Sequence, residues 1–191
     1  MLSNTVKLTQ RSLIWLGIAV IIFGLIACQT PFRSAQYSVK RVSDGDTLTV
    51  TDTKGTDIKV RFACIDAPEV PHSAKERASK IAAVRDQFKW GVQAQNRVKQ
   101  LIKQAGDRVN LTITDSDRYG RKISEVRLSD GTLIQEVLAR EGLALVYRPY
   151  LKNCPSAAIV EQAESVAKQQ RQGVWSDTKF TQPWAYRHRN K

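Results

Sequence analysis

Apolar residues recur every second position over Tyr37–Arg41, Thr47–Thr53 and Thr56–Ile65, the spacing of strands with one buried face. Lys54-Gly55 joins the last two as a turn. In the third run Val60, Phe62 and Cys64 alternate with Arg61, Ala63 and Ile65, and Pro68 stops it because proline has no N–H for a ladder. The period then changes. Ile81, Val84, Phe88, Val92, Val98, Leu101 and Ile102 fall at steps of three and four, predicting helix with a break expected at Gly91 and an end at Gly106. Alternation returns in Arg108–Thr114 and Lys122–Leu128, joined by a tip that holds Asp117 and Tyr119-Gly120. Thr132-x-x-Gln135 reads as a capping box opening a helix over Leu133–Glu141, stopped by Gly142. A last helix is predicted from near Pro155 to Gln172, with Gly173 beyond it and Trp175 as a core anchor. The class these elements predict is α+β: a small barrel of five strands with about three packed helices.

The first 36 residues follow neither period. Lys7 and Arg11 precede an apolar run from Leu13 to Ala27, and no acidic residue occurs before Asp44. A positive start, an apolar centre and small residues at its end describe a secretory signal. Leu25-Ile26-Ala27-Cys28 resembles the lipobox of bacterial lipoproteins, in which the cysteine is lipidated. The rival reading is an uncleaved membrane helix, since the uncharged run from Ser12 to Phe32 matches the roughly 20 residues that cross a bilayer. Cys28 stands where the apolar run turns polar, which favours the lipoprotein. Both readings place the remainder outside the cytoplasm on a membrane tether. The division expected is an anchor and linker over 1–36, a domain over 37–177 and a basic tail over 178–191, whose end, Arg187–Lys191, is expected to be disordered.

The chain has 191 residues and a formal charge of +12, which suits one domain, a monomer by default, and a polyanionic partner: nucleic acid or an anionic membrane. With Cys28 lipidated, Cys64 and Cys154 remain. Outside the cytoplasm an even pair suggests a disulfide; two buried, inert thiols are the equal alternative.

Charge sits where the third strand should be buried. Arg61, Asp66 and Glu69 cluster at its end, although buried strands exclude such side chains unless they are paired. Either this is a solvated ion pair on an exposed edge, or a guanidinium there holds a phosphate and a carboxylate holds a cation. Asp44-Gly45-Asp46-Thr47 precedes the second strand, and Asp117-Arg118-Tyr119-Gly120-Arg121 forms the later tip. Each alone is a turn signal. Their order, Asp-Gly-Asp-Thr, then Arg-x-x-x-x-Asp-x-Pro-Glu, then Asp-x-Tyr-Gly-Arg, resembles the staphylococcal nuclease (thermonuclease) family. Gly142-Leu143-Ala144 followed by tyrosines, and Gly173-Val174-Trp175, extend the likeness over roughly Tyr37 to Ser176.

The resemblance implies an OB-fold barrel, which the five strands also suit. It implies a Ca²⁺-dependent endonuclease hydrolysing DNA and RNA with little sequence preference. Asp46, Asp66 and the main-chain carbonyl of Ala67 would hold the ion; the family's best-known member has threonine at the Ala67 position. Arg61 and Arg121 would clamp the phosphate, and Glu69 would orient or deprotonate water. Asp44 would shape the turn. Arg118, Tyr119, Tyr147 and Tyr150 would contact substrate, with core packing the alternative for the last two. A non-catalytic OB-fold binding lipoprotein is the rival class, and the retained acids speak against it, because acids repel phosphate.

Overall fold

The computed structural model describes residues 36–189. The apolar N-terminal run, with Cys28, lies outside the described residues, as do Asn190 and Lys191. Among the described residues no helix is long and apolar enough to cross a membrane.

Five strands close a barrel: β1 (Gln36–Val42), β2 (Thr47–Thr51), β3 (Asp57–Phe62), β5 (Arg108–Ser116) and β6 (Lys122–Arg127), in the order β1-β2-β3-β6-β5. The hairpin pairs are antiparallel, and β3 runs parallel to β6, with Arg61 opposite Ile123. Leu48, Val50, Val60, Phe62, Val109 and Val126 fill the interior. They are the inward positions of a period-two pattern. The barrel and its helices are therefore the α+β architecture that the pattern predicts.

Past Phe62 the chain leaves the barrel through Cys64, whose φ is +73°. It then forms a two-residue strand, β4 (Ile65–Asp66), paired with β7 (Leu145–Val146). The predicted third strand is thus two strands with a kink between them. The kink carries Asp66 to the barrel's end instead of along its wall. Ser73 and Glu76 form a reciprocal capping box on a one-turn helix, α1 (Ala74–Arg77).

Helix α2 (Ala82–Gln104) is continuous, so Gly91 does not break it. Its role is close approach: a Cβ at Gly91 would stand 2.0 Å from the Glu69 carbonyl oxygen. Gly45 does the same on the other side, where a Cβ would meet Ala94 and Ala67 within 2.7 Å. The helix therefore lies directly against both the β1–β2 loop and the segment after β4, clamping together the two acidic stretches.

Helix α3 (Ile134–Arg140) begins after Leu133 without a side-chain cap, which corrects the capping box expected at Thr132 and Gln135. Gln135 is instead fully buried and turned to the barrel. It accepts from the Val126 N–H at 3.1 Å and donates to the Ser124 carbonyl at 2.9 Å. The core demands those bonds more than the helix end does, since a buried amide without partners is costly. Helix α4 (Ala157–Gln169) is shorter than predicted at both ends. Trp175 packs against the core with Lys168 over its ring. The basic end expected to be disordered forms a helix, α5 (Pro183–Arg189).

Cys64 and Cys154 are joined by a disulfide with their α-carbons 5.4 Å apart. Glu125, buried beside it, accepts from the Ser156 N–H at 2.6 Å and from the Ser156 hydroxyl at 3.1 Å, satisfying the entry to α4.

Candidate active site

Three segments meet at one end of the barrel. The β1–β2 loop contributes Asp46, β3 contributes Arg61 from its outward face, and β4 with its exit contributes Asp66, Ala67 and Glu69. Asp44 builds the loop: its Oδ1 accepts the Asp46 N–H at 2.9 Å, the turn expected of Asx residues. Asp46 and Asp66 are 2% and 0% exposed. The Arg61 guanidinium bridges them, Nη1 to Asp46 Oδ1 at 2.6 Å and Nη2 to Asp66 Oδ1 at 2.5 Å. The Ala67 N–H donates to Asp46 Oδ2 at 2.7 Å. Residues far apart in the chain thus form one charged cluster, and the solvated-edge reading of Arg61, Asp66 and Glu69 does not hold.

A residue outside the sequence-derived set completes the cluster. Arg187 of α5 donates from Nη2 to Asp66 Oδ2 at 2.5 Å and from Nη1 to Glu69 Oε1 at 2.6 Å. A basic tail gives no periodic or motif signal for such a contact. Trp184, one turn earlier, was the cue available, since a large aromatic in a polar tail is a docking residue.

Arg121 lies elsewhere. It precedes Ile123, the partner of Arg61, by two residues and so starts on the same outer face. Its Nε donates to Asp117 Oδ2 at 2.7 Å within the β5–β6 tip. Asp117 Oδ1 accepts the Tyr119 and Arg121 N–H groups as well. Tyr119 is exposed, with the Arg118 guanidinium 4.9 Å and that of Arg121 5.7 Å from its ring centre. Tyr147 is half-buried and Tyr150 exposed, their ring centres 5.6 Å apart and stacked. Trp184 lies 5.5 Å from Tyr147. Core packing therefore does not account for Tyr150.

Burial lifts the Asp46 carboxyl to about 6, with the Arg61 charge opposing and the nearby Asp44 charge adding to the rise. Asp66 is raised too, first by burial and then by the charge of Asp46. For Arg61 burial works against the charged form, but Asp46 and Asp66 outweigh it and hold the guanidinium above its ordinary value. Three carboxylates, Asp46, Asp66 and Glu69, share two guanidiniums, Arg61 and Arg187, which leaves the site short of positive charge.

That imbalance has a measurable consequence. Native Asp46 binds its proton more tightly than the unfolded chain does, where the value is near 3.9. Its contribution to stability is thus full below about pH 4 and is lost as pH rises through about 6. Without a divalent cation the loss reaches about 3 kcal/mol. Asp46→Asn is expected to resist urea better than the wild type at pH 7 in chelator, and to lose that advantage near pH 4. A variant less stable than wild type at pH 7 contradicts the account.

A small barrel, closed at one end by buried acids and a bridging arginine, defines a staphylococcal-nuclease-like domain. Residues 59–177 match the family model described as staphylococcal nuclease homologue, and the chain belongs to that family. It is 35% identical over 151 residues to an uncharacterized endonuclease of Escherichia coli O157:H7, covering 79% of this chain and 84% of that one. It is 31% identical to a micrococcal nuclease of Shigella flexneri, over 91% and 90% of the two chains. It is also 31% identical to a thermonuclease of Staphylococcus intermedius, over 88% and 98%.

Proposed function

We infer that the protein is a nuclease that hydrolyses phosphodiester bonds of DNA and RNA with low sequence specificity. The observation that carries this is the buried Asp46–Arg61–Asp66 bridge with Glu69 beside it, in a chain whose relatives are named as nucleases. A binding module has no use for buried acids facing a polyanion.

The donor set fits a hard divalent cation such as Ca²⁺, which takes oxygen ligands. Asp46 and Asp66 offer two buried carboxylates, 2% and 0% exposed, and the Ala67 carbonyl would add a third oxygen. Bound there, the ion would supply Lewis-acid polarisation of a phosphoryl oxygen. The chain's own residues do the rest. Glu69, half-exposed beside Asp66, orients the attacking water and draws its proton as the water oxygen bonds to phosphorus. The departing alkoxide takes up a proton as the phosphorus–oxygen ester bond breaks. Arg61 would complement charge that grows on the phosphate, joined by Arg121 once its guanidinium leaves Asp117, a task suited to planar guanidinium forks. Arg118 and Tyr119 at the β5–β6 tip, with Tyr147 and Tyr150, supply the cation and ring surfaces on which a nucleic-acid strand rests without base readout.

The test is cleavage of single-stranded DNA by the purified protein with calcium and with chelator. Calcium-dependent fragments are expected. A gel shift without fragments would make it a binding module, and neither result would leave a structural role. The N-terminal run is read as a lipoprotein signal that tethers the nuclease outside the cytoplasm, and the disulfide suits an oxidising compartment. Mass spectrometry of the mature N-terminus checks this, with lipidated Cys28 as the expected first residue.

A further inference from the structure

We propose that α5 is a strap whose Arg187 holds the acids in place of the divalent cation, so that seating of the strap and binding of the cation compete. This rests on the cation reading above.

All four carboxylate oxygens of Asp46 and Asp66 already accept protein hydrogen bonds. Asp46 Oδ1 is taken by Arg61 and the Thr47 hydroxyl, and Oδ2 by the Ala67 N–H. Asp66 Oδ1 is taken by Arg61, and Oδ2 by Arg187. Glu69 Oε1 is taken by the other nitrogen of Arg187. A hard cation uses the same oxygens; all but Asp46 Oδ1 keep a second lone pair, so the conflict is with the charged donors, Arg61 and Arg187.

The donors differ in how readily they can leave. The Ala67 N–H belongs to the backbone clamped by α2 at Gly45 and Gly91. Arg61 is anchored near the end of β3, paired to β2 on one side and β6 on the other, and its side chain is only 21% exposed. Arg187 sits in the last turn of a seven-residue helix at the end of the described chain, and its side chain is 37% exposed. A guanidinium and a divalent ion on shared oxygens also repel. Arg187 is therefore the donor that gives way.

The strap has further footholds, and these too lie over the site. The Gln87 side-chain amide donates to the Thr181 carbonyl. Pro183 is buried, and Trp184 packs on Tyr147. Seated, α5 covers the acids and Tyr147, while Tyr150 stays exposed. Lifted, it uncovers both at once. Its bonds to Asp66 and Glu69 span sequence separations of 121 and 118 residues, so release gives up these long-range contacts together with the Gln87 bond and the packing of Pro183 and Trp184.

The experiment uses the full-length protein, wild type and Arg187→Gln, without nucleic acid. Calcium affinity is read by calorimetry and amide hydrogen exchange over residues 183–189 by mass spectrometry. Arg187→Gln is expected to bind calcium about tenfold more tightly, within the usual range of coupled sites, and Arg187→Lys to fall between the two. In the wild type, saturating calcium is expected to speed exchange in α5. Calcium bound with equal or lower affinity by Arg187→Gln, or α5 exchange unchanged by calcium, overturns the strap alone. If neither protein binds calcium, the cation reading fails and the strap fails with it.

Discussion

Glu69→Gln is expected to lower turnover about 10²–10⁴-fold, the usual worth of a positioned acid–base group, with little effect on folding. The substitution keeps shape and removes charge. Glu69 is half-exposed, and its carboxylate pairs with Arg187 on the terminal helix. Its main chain is held independently: α2 lies against the Glu69 carbonyl at Gly91. The new side-chain amide would stay where the carboxylate was, unable to take a proton. Asp46, Arg61 and Asp66 would keep their bridge, so cation binding should persist. Loss of turnover with retained calcium binding and an unchanged circular-dichroism spectrum is the expected result. Near-native cleavage by the purified variant would remove Glu69 from the mechanism.

The barrel could be read from the chain because its signal is local. Val60 and Phe62 face the interior by alternation alone, and so do Leu48 and Val50. The cluster of Asp46, Arg61, Asp66 and Glu69 was legible for another reason: three separated motifs in order constrain one another. The exceptions share a cause. Gly91 reads locally as a helix breaker, and only the backbone of Glu69 across the interface makes it a contact glycine. Gln135 has capping-box spacing, and only the Val126 N–H and Ser124 carbonyl, where β6 runs past its last pair with β3, explain why it turns inward. Arg187 belongs to a polar tail until Tyr147 gives Trp184 a surface to dock on. Tertiary context outweighs local propensity at each of these positions, and no window of neighbouring residues contains that context. The kink at Cys64 is of the same kind, since alternation continues through it and conceals the left-handed residue.

That kink makes the disulfide the other large effect. Cys64 and Cys154 are 90 residues apart in sequence, and closing a loop of that size in the unfolded chain stabilises the fold by about 4.6 kcal/mol in the chain-entropy model. For a domain of this size, removing the bridge should lower Tm by about 10–20 °C. The effect reaches the site, because Cys64 is two residues from Asp66 and its carbonyl accepts the Tyr147 N–H at 2.8 Å. Two double variants separate the cross-link from the backbone. Cys64→Ala with Cys154→Ala loses the bridge and places alanine at a φ of +73°, which any residue with a Cβ resists. Cys64→Gly with Cys154→Ala loses the bridge but relieves that position, as glycine tolerates positive φ. The glycine pair should therefore be the more stable by about 1 kcal/mol, with both far below the wild type. Both should also lose activity at a lower temperature than the oxidised protein, because the segment holding Asp66 then keeps its short ladder to β7 and the clamp of α2 but no covalent tie. If melting of the oxidised and reduced wild type coincides, the bridge is dispensable, and the fixed position of Asp66 must come from the ladder to β7 and the clamp of α2.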